Sequence, residues 1–234
     1  MRSTYPILLA IVAVSAIVPA AGADGLPVLG VDVGGTGVVN ASRTARLITL
    51  PAGDNTVVAR VRVRNGTVLA STTVQGTFTI PAVAYDGTPA GLSGDGRTLV
   101  LIEPRQSFPR ETTAFARLSV TDSNLKLQQL FRLRGDFSLD AVSPSGRRIF
   151  LIQYLSRTDP TLYAVRALDV SAGRLLPRPI VDRSDPDEEM RGQPLRRVGS
   201  AGGRWAYTLY DGNGVMPFVP ALDPATATAH CIDL

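Results

Sequence analysis

An all-β fold, a β-propeller-like array of about four four-stranded antiparallel blades, is what the sequence predicts. Three observations carry that reading. Helical periodicity is nearly absent from the 234 residues. One turn recurs as Ser93-Gly-Asp-Gly-Arg97, Ser143-Pro-Ser-Gly-Arg147 and Ser200-Ala-Gly-Gly-Arg204, with its arginines 50 and 57 residues apart. Each copy is followed by the same succession: an apolar strand, a polar loop, a strand with an aromatic near its start, and one strand more. Repeats of about 40–50 residues are the size of propeller blades.

The first strands after the turns are Thr98–Ile102, Arg148–Tyr154 and Trp205–Tyr210. The second set is Phe115–Val120, Tyr163–Leu168 and Phe218–Leu222, and the third is Leu125–Arg132, Arg174–Ile180 and Thr226–Ile232. Before Tyr85 the frame continues without the turn signature, and Val28–Val33, Arg46–Leu50, Thr56–Arg64 and Thr67–Val74 read as four strands. Asn65-Gly66 predicts a two-residue hairpin between the last two, since both residues tolerate positive φ. The units fall near 26–79, 80–136, 137–194 and 195–234. That division ends in the last strand of the fourth unit and leaves no strand for a blade shared between the chain ends. The ring therefore either closes on four blades or stays incomplete, and an open arc exposes apolar blade faces that favour self-association.

The Ser-Pro-x-Gly-Arg turn, the apolar strand after it and the Tyr-x-x-x-x-Leu-Asp strand ending at Asp169 resemble the WD40-like repeat of TolB-type β-propellers. The resemblance covers most of residues 90–234 and, more loosely, 26–80. Ser143 to Asp169 is its best match, with Ser145 where the repeat usually carries aspartate. The chain also looks like a group of secreted proteins of high-GC Gram-positive bacteria. What the resemblance implies is a scaffold; it implies no particular site, because one fold hosts many unrelated functions.

Residues 1–23 read as a cleaved secretory signal. Arg2 supplies the positive charge, Ile7 to Val18 the apolar run, and Ala21-Gly22-Ala23 the small-residue cleavage site. The run is short for a bilayer span and Pro19 ends it. The domain is then 24–234, secreted or otherwise extracytoplasmic, without a transmembrane anchor after cleavage. Loss of Arg2 leaves 23 basic and 20 acidic residues, too small and too dispersed an excess for nucleic acid. Cys231 is the only cysteine, so no internal disulfide forms, and the plain reading is a buried thiol in the last strand.

Four stretches bear on chemistry. Gly30-Val-Asp-Val-Gly-Gly-Thr-Gly37 looks like the first phosphate loop of the sugar kinase and actin superfamily. No matching second loop is evident, so a strand entering a Gly-rich turn is the plainer reading, and no cofactor is expected. Asp182, Asp185, Asp187, Glu188 and Glu189 form the densest carboxylate cluster, in the connector to the fourth unit. Such a cluster suits a hard cation such as calcium. A single capped helical turn, with Asp185 as cap, Pro186 first and Gly192 as stop, is the competing reading. Arg60, Arg62 and Arg64 alternate with Val61 and Val63, which places the arginines on one strand face, either towards an anionic surface or as a guard on an outer strand. Trp205, Tyr207 and Leu209 share a face that reads as inter-blade core. His230 is the only histidine and, beside Cys231, points to the opposite strand face, so a Ser–His–Asp or Cys–His pair has little support.

The function expected from these features is a non-catalytic extracytoplasmic β-propeller that binds a protein or a cell-envelope polymer. The alternative is a propeller hydrolase or lyase that uses carboxylates and a bound metal on the connector face.

Overall fold

The computed structural model describes residues 37–182, 191–200, 204–212 and 216–234. The expected signal segment 1–23, the strand Val28–Val33 and the acidic residues Asp185, Asp187, Glu188 and Glu189 lie outside the described residues. The first sheet is a meander of β1 (Val38–Val39), β2 (Ala45–Ala52), β3 (Asn55–Arg62) and β4 (Val68–Gln75). The second contains β5 (Thr98–Ile102), β6 (Thr112–Val120) and β7 (Leu125–Arg134). The third is β8 (Phe137–Val142), β9 (Arg148–Tyr154), β10 (Tyr163–Asp169) and β11 (Arg174–Leu175). The fourth is β12 (Pro194–Gly199), β13 (Ala206–Tyr210), β14 (Phe218–Asp223) and β15 (Thr228–Asp233). Every pairing within the sheets is antiparallel.

Three local expectations change. The strand expected over Arg174–Ile180 shrinks to β11 and one bridge between Ile180 and Val165. Pro177 and Pro179 lie between them, and a proline has no N–H to give the ladder. The Asn65-Gly66 turn is wider than two residues: Gly66 N donates to Arg62 O and Arg62 N to Thr67 O, with only Gly66 at positive φ. In the second sheet the inner strand is interrupted. Thr79 bridges Ile102 and Leu92 bridges Leu99, and between them the chain leaves as a hairpin closed by an Ala82–Pro89 bridge.

Packing follows from which sheets are covered on both faces. In β5, Leu99 and Leu101 pack with Leu47, Val58 and Val74 of the first sheet, while Val100 and Ile102 pack with Phe137 and Leu151 of the third. In β9, Ile149 and Leu151 face the second sheet, and Phe150 and Ile152 belong to clusters with Leu222 or Tyr210 of the fourth. Their central runs, Leu99–Ile102 and Ile149–Ile152, are therefore apolar without a break instead of alternating. Each fully buried side chain of this size contributes about 1.5–3 kcal/mol. Among the described residues the outer two sheets have one covered face each. Trp205, Tyr207 and Leu209 are only half-buried, on the face of the fourth sheet turned away from the third, where the sequence had suggested inter-blade core. Leu50 on the first sheet and Val198 and Ile232 on the fourth are 50%, 53% and 47% exposed. Among the described residues, the buried clusters join sheets one to two, two to three and three to four, and none joins one to four.

The recurrent turn has one hydrogen-bond grammar. Ser143 N donates to Arg148 O, the Ser143 hydroxyl accepts from Arg148 N at 2.9 Å, and Gly146 N donates back to Ser143 O. Ser93 does the same with Thr98 and Gly96. The Ser200 hydroxyl accepts from Trp205 N at 3.0 Å. The first sheet has a counterpart that the sequence disguised. Asn40 N donates to Ala45 O, the Asn40 side-chain oxygen accepts from Ala45 N at 3.0 Å, and Arg43 N donates to Asn40 O. Asn40 stands where the others have serine, and Arg43 stands where they have glycine.

Candidate functional site

Each sheet presents two ends: one where inner strands turn into second strands, the other where the chain passes to the next sheet. The connector end is filled near the inner strands. Asp136, buried just before β8, accepts from Arg105 Nη2 at 2.7 Å, Arg110 Nε at 3.2 Å and Arg110 N at 2.9 Å. Arg105 also donates to Ser138 Oγ and lies 4.9 Å above the Tyr154 ring. Asp140 of β8 is paired with Arg197 of β12 through both its carboxylate and its carbonyl. The interrupting hairpin reaches the same region, where Tyr85 N donates to Pro194 O at 2.9 Å and Asp86 N to Leu195 O at 3.3 Å. Burial first, then the charges of Tyr154 and Asp211, push the Tyr85 phenol up to about 12. Burial also holds Tyr163 and Tyr210, stacked at 5.4 Å, well above the ordinary phenol range. The cavity left here measures about 10 Å³, lined by Ser138, Asp140 and Tyr154 among others, room for about one water.

Asp182, the one described member of the acidic cluster, is part of this framework. It is buried, its Oδ2 accepts from Cys231 N at 2.7 Å, and its residue bridges Ala229 in parallel register. His230 Nδ1 lies 3.8 Å from its other oxygen. Asp182 thus fastens the end of the third unit to β15. Cys231 is half-buried and packs towards the third sheet, while His230 shares the opposite face with Trp205. Among the described residues no three His, Cys, Asp or Glu side chains group as a metal would require. Of the glycine-rich stretch 30–37 only Gly37 is described, in a close approach to Leu47 O.

The turn end is open between the first and second sheets. A cleft of about 600 Å³ is lined by Asn40, Ser42, Leu47, Arg60, Asp95 and Arg97, with Thr121 and Asp122 of the β6–β7 turn. A second, of about 550 Å³, is lined by Arg43, Arg60, Arg62, Arg64, Leu69 and Asp122. Both include Ala45, Arg60 and Asp122, so they are two arms of one groove.

The structure brings the three expected arginines to this groove in unlike roles. Arg60 is mostly buried, and its Nη2 meets Asp122 Oδ1 at 2.9 Å, clamping β3 to the second sheet. Arg62 ends β3, and Arg64 sits in the turn beyond it; both are exposed. They do not guard an edge, because β3 lies between β2 and β4. The sequence reading missed Arg43, Arg97 and Asp122. Arg97 was visible as the last residue of a recurrent turn, and Arg43 becomes visible once Asn40 is recognised in place of serine.

No protein-family model and no curated protein matches the chain. Among solved structures it is similar to TolB from Acinetobacter baumannii, with 11% identity and a TM-score of 0.48 over 87% of this chain and 44% of that one. It is similar to a putative TolB from Agrobacterium tumefaciens at 15% identity and a TM-score of 0.45, over 82% of this chain and 58% of that one. For BamB from Moraxella catarrhalis the values are 13% and 0.40, over 85% of this chain and 53% of that one. The chain spans between 44% and 58% of the length of these three proteins.

Proposed function

We propose that this chain is an extracytoplasmic binding propeller, one that recognises a protein or a component of the cell envelope without transforming it. The observation that carries the reading is the division of charge between its two ends. Near the inner strands at the connector end, Arg105, Arg110 and Arg197 meet Asp136 and Asp140 inside the molecule, around a cavity of about 10 Å³. At the turn end, guanidinium groups line a wide groove open to solvent. Paired, buried charge rigidifies a scaffold, whereas exposed charge in a concave surface steers and orients a partner. The export signal read in residues 1–23 supports the compartment.

Two measurements test the reading. N-terminal sequencing of the exported protein is expected to begin near Asp24; a chain retaining Met1 in the cytosol would refute it. A photo-crosslinking residue placed at position 43 or 97 is expected to give a discrete envelope adduct in cells, and one at Leu130, exposed on the outer strand β7, is expected to give none. Equal labelling at all three positions would remove the groove from the function.

A further inference from the structure

Arg43 holds a left-handed conformation that the turn requires and that glycine would adopt at less cost. In the turns of the second and third sheets the left-handed position is occupied by Gly96 at φ +70° and Gly146 at φ +68°. In the first sheet it is occupied by Arg43 at φ +55°. Residues with a Cβ rarely adopt this region, and those that do cluster at functional sites. The Arg43 side chain is exposed and lines the groove arm shared with Arg62 and Arg64.

The charge in the groove is unbalanced. Asp122 is taken by Arg60, and Asp95 accepts from the Ser93 hydroxyl at 2.6 Å and from Arg97 N at 2.9 Å. Among the described residues no carboxylate pairs with Arg43, Arg62 or Arg64. Strand geometry sets Arg60 and Arg62 roughly 7 Å apart along one face. Arg97 lines one arm, Arg43, Arg62 and Arg64 line the other, and the Arg60–Asp122 pair lies in both, so the cations form a track along the groove.

We infer that this groove binds a linear polyanion with closely spaced phosphate groups, laid along the track from Arg97 to Arg64. The inference rests on the binding function proposed above and supplies its ligand class. Two confluent arms of about 600 and 550 Å³ exceed what a single phosphate fills. The cations line a concavity, which a polymer enters and a flat bilayer meets only at the rim. Guanidinium forks match the oxygens of phosphate in pairs.

The test is fluorescence anisotropy of end-labelled linear polyphosphate titrated with the purified full chain, with phosphatidylglycerol vesicles run in parallel. Binding to polyphosphate is expected, weakening as salt rises. The double variant Arg62→Ser, Arg64→Ser is expected to lose about tenfold in affinity, with the salt slope smaller by about 1 for each arginine. Arg43→Gly is expected to weaken binding while its melting temperature stays level or rises, because glycine suits the left-handed position. Affinity unchanged in both variants, vesicle binding without polyphosphate binding, or no binding to either probe would each overturn the inference. Loss of the polyphosphate interaction alongside intact envelope crosslinking from position 43 would sink the ligand class and leave the broader function standing.

Discussion

At Ser143 a hydroxyl holds the amide of Arg148, five residues on, and so closes the turn that starts a blade strand. Removing such a hydroxyl leaves a part-buried amide without its partner, at a cost of about 1–2 kcal/mol. Ser143→Ala is therefore expected to lower the melting temperature by roughly 2–8 °C, on the scale of about 2–4 °C per kcal/mol for a domain of this size. Calorimetry checks it; an unchanged transition would mean that water replaces the hydroxyl without loss. The carboxylates of the other turns make a second residue-scale prediction. Burial opposes ionisation of Asp223, but hydrogen bonds from Ala225 N and Arg204 outweigh it and lower the pKa. Thr161 lowers Asp159, and Ser171 lowers Asp169. A folded pKa below the unfolded value of about 3.9 adds stability that is complete above that value and disappears as pH falls through the folded one. The melting temperature is expected to be level from about pH 7 to 5 and to drop below about pH 4. In Asp223→Asn that acid drop is expected to be shallower. A drop already complete at pH 5 would contradict the assignment.

At the scale of elements, apolar strands buried on both faces alternate with strands buried on one. Phe150 in β9 is fully buried, and its truncation to alanine is expected to cost about 3–5 kcal/mol in urea unfolding. Tyr207 in β13 is half-buried on the open face, and Tyr207→Ala is expected to cost less than about 1 kcal/mol. Equal costs would show that the outer face is covered in solution. The difference between these strands explains what the sequence revealed. Thr98–Ile102 and Arg148–Tyr154 were legible because sheets covered on both sides need unbroken apolar runs. The face of Trp205, Tyr207 and Leu209 was misjudged because alternation shows that residues share a face and says nothing of what lies opposite. The interrupted inner strand of the second sheet went unseen, since Ile80 to Leu92 satisfies its ladder through scattered bridges around Pro81 and Pro89. The groove was half legible. Arg62 and Arg64 stood out by spacing, while Arg43 and Asp122 reach the same place through turns from distant parts of the chain.

Among the described residues the four sheets pack in succession, and each of the two outer ones carries a face of half-exposed or exposed apolar side chains. Ile48 and Leu50 lie on one such face, and Tyr207, Val219 and Ile232 on the other. Both faces present apolar side chains of the kind that pack between the inner sheets, so concentration-dependent association is expected. Sedimentation velocity from micromolar to millimolar protein checks it, and a single monomeric species across that range would count against it. The hairpin from Ala82 to Pro89 gives the succession a different kind of coherence. Through Tyr85 and Asp86 it ties the second sheet to Pro194 and Leu195, at the start of the fourth. During folding, those amides stay bonded to water until the last-made strands arrive, and contacts so distant in sequence form late. The sheets then do not melt independently, as stacked repeats do, because loosening the fourth strips two hydrogen bonds from the second. In a native-state hydrogen-exchange experiment, the Tyr85 amide would therefore keep time for an element that begins more than a hundred residues downstream.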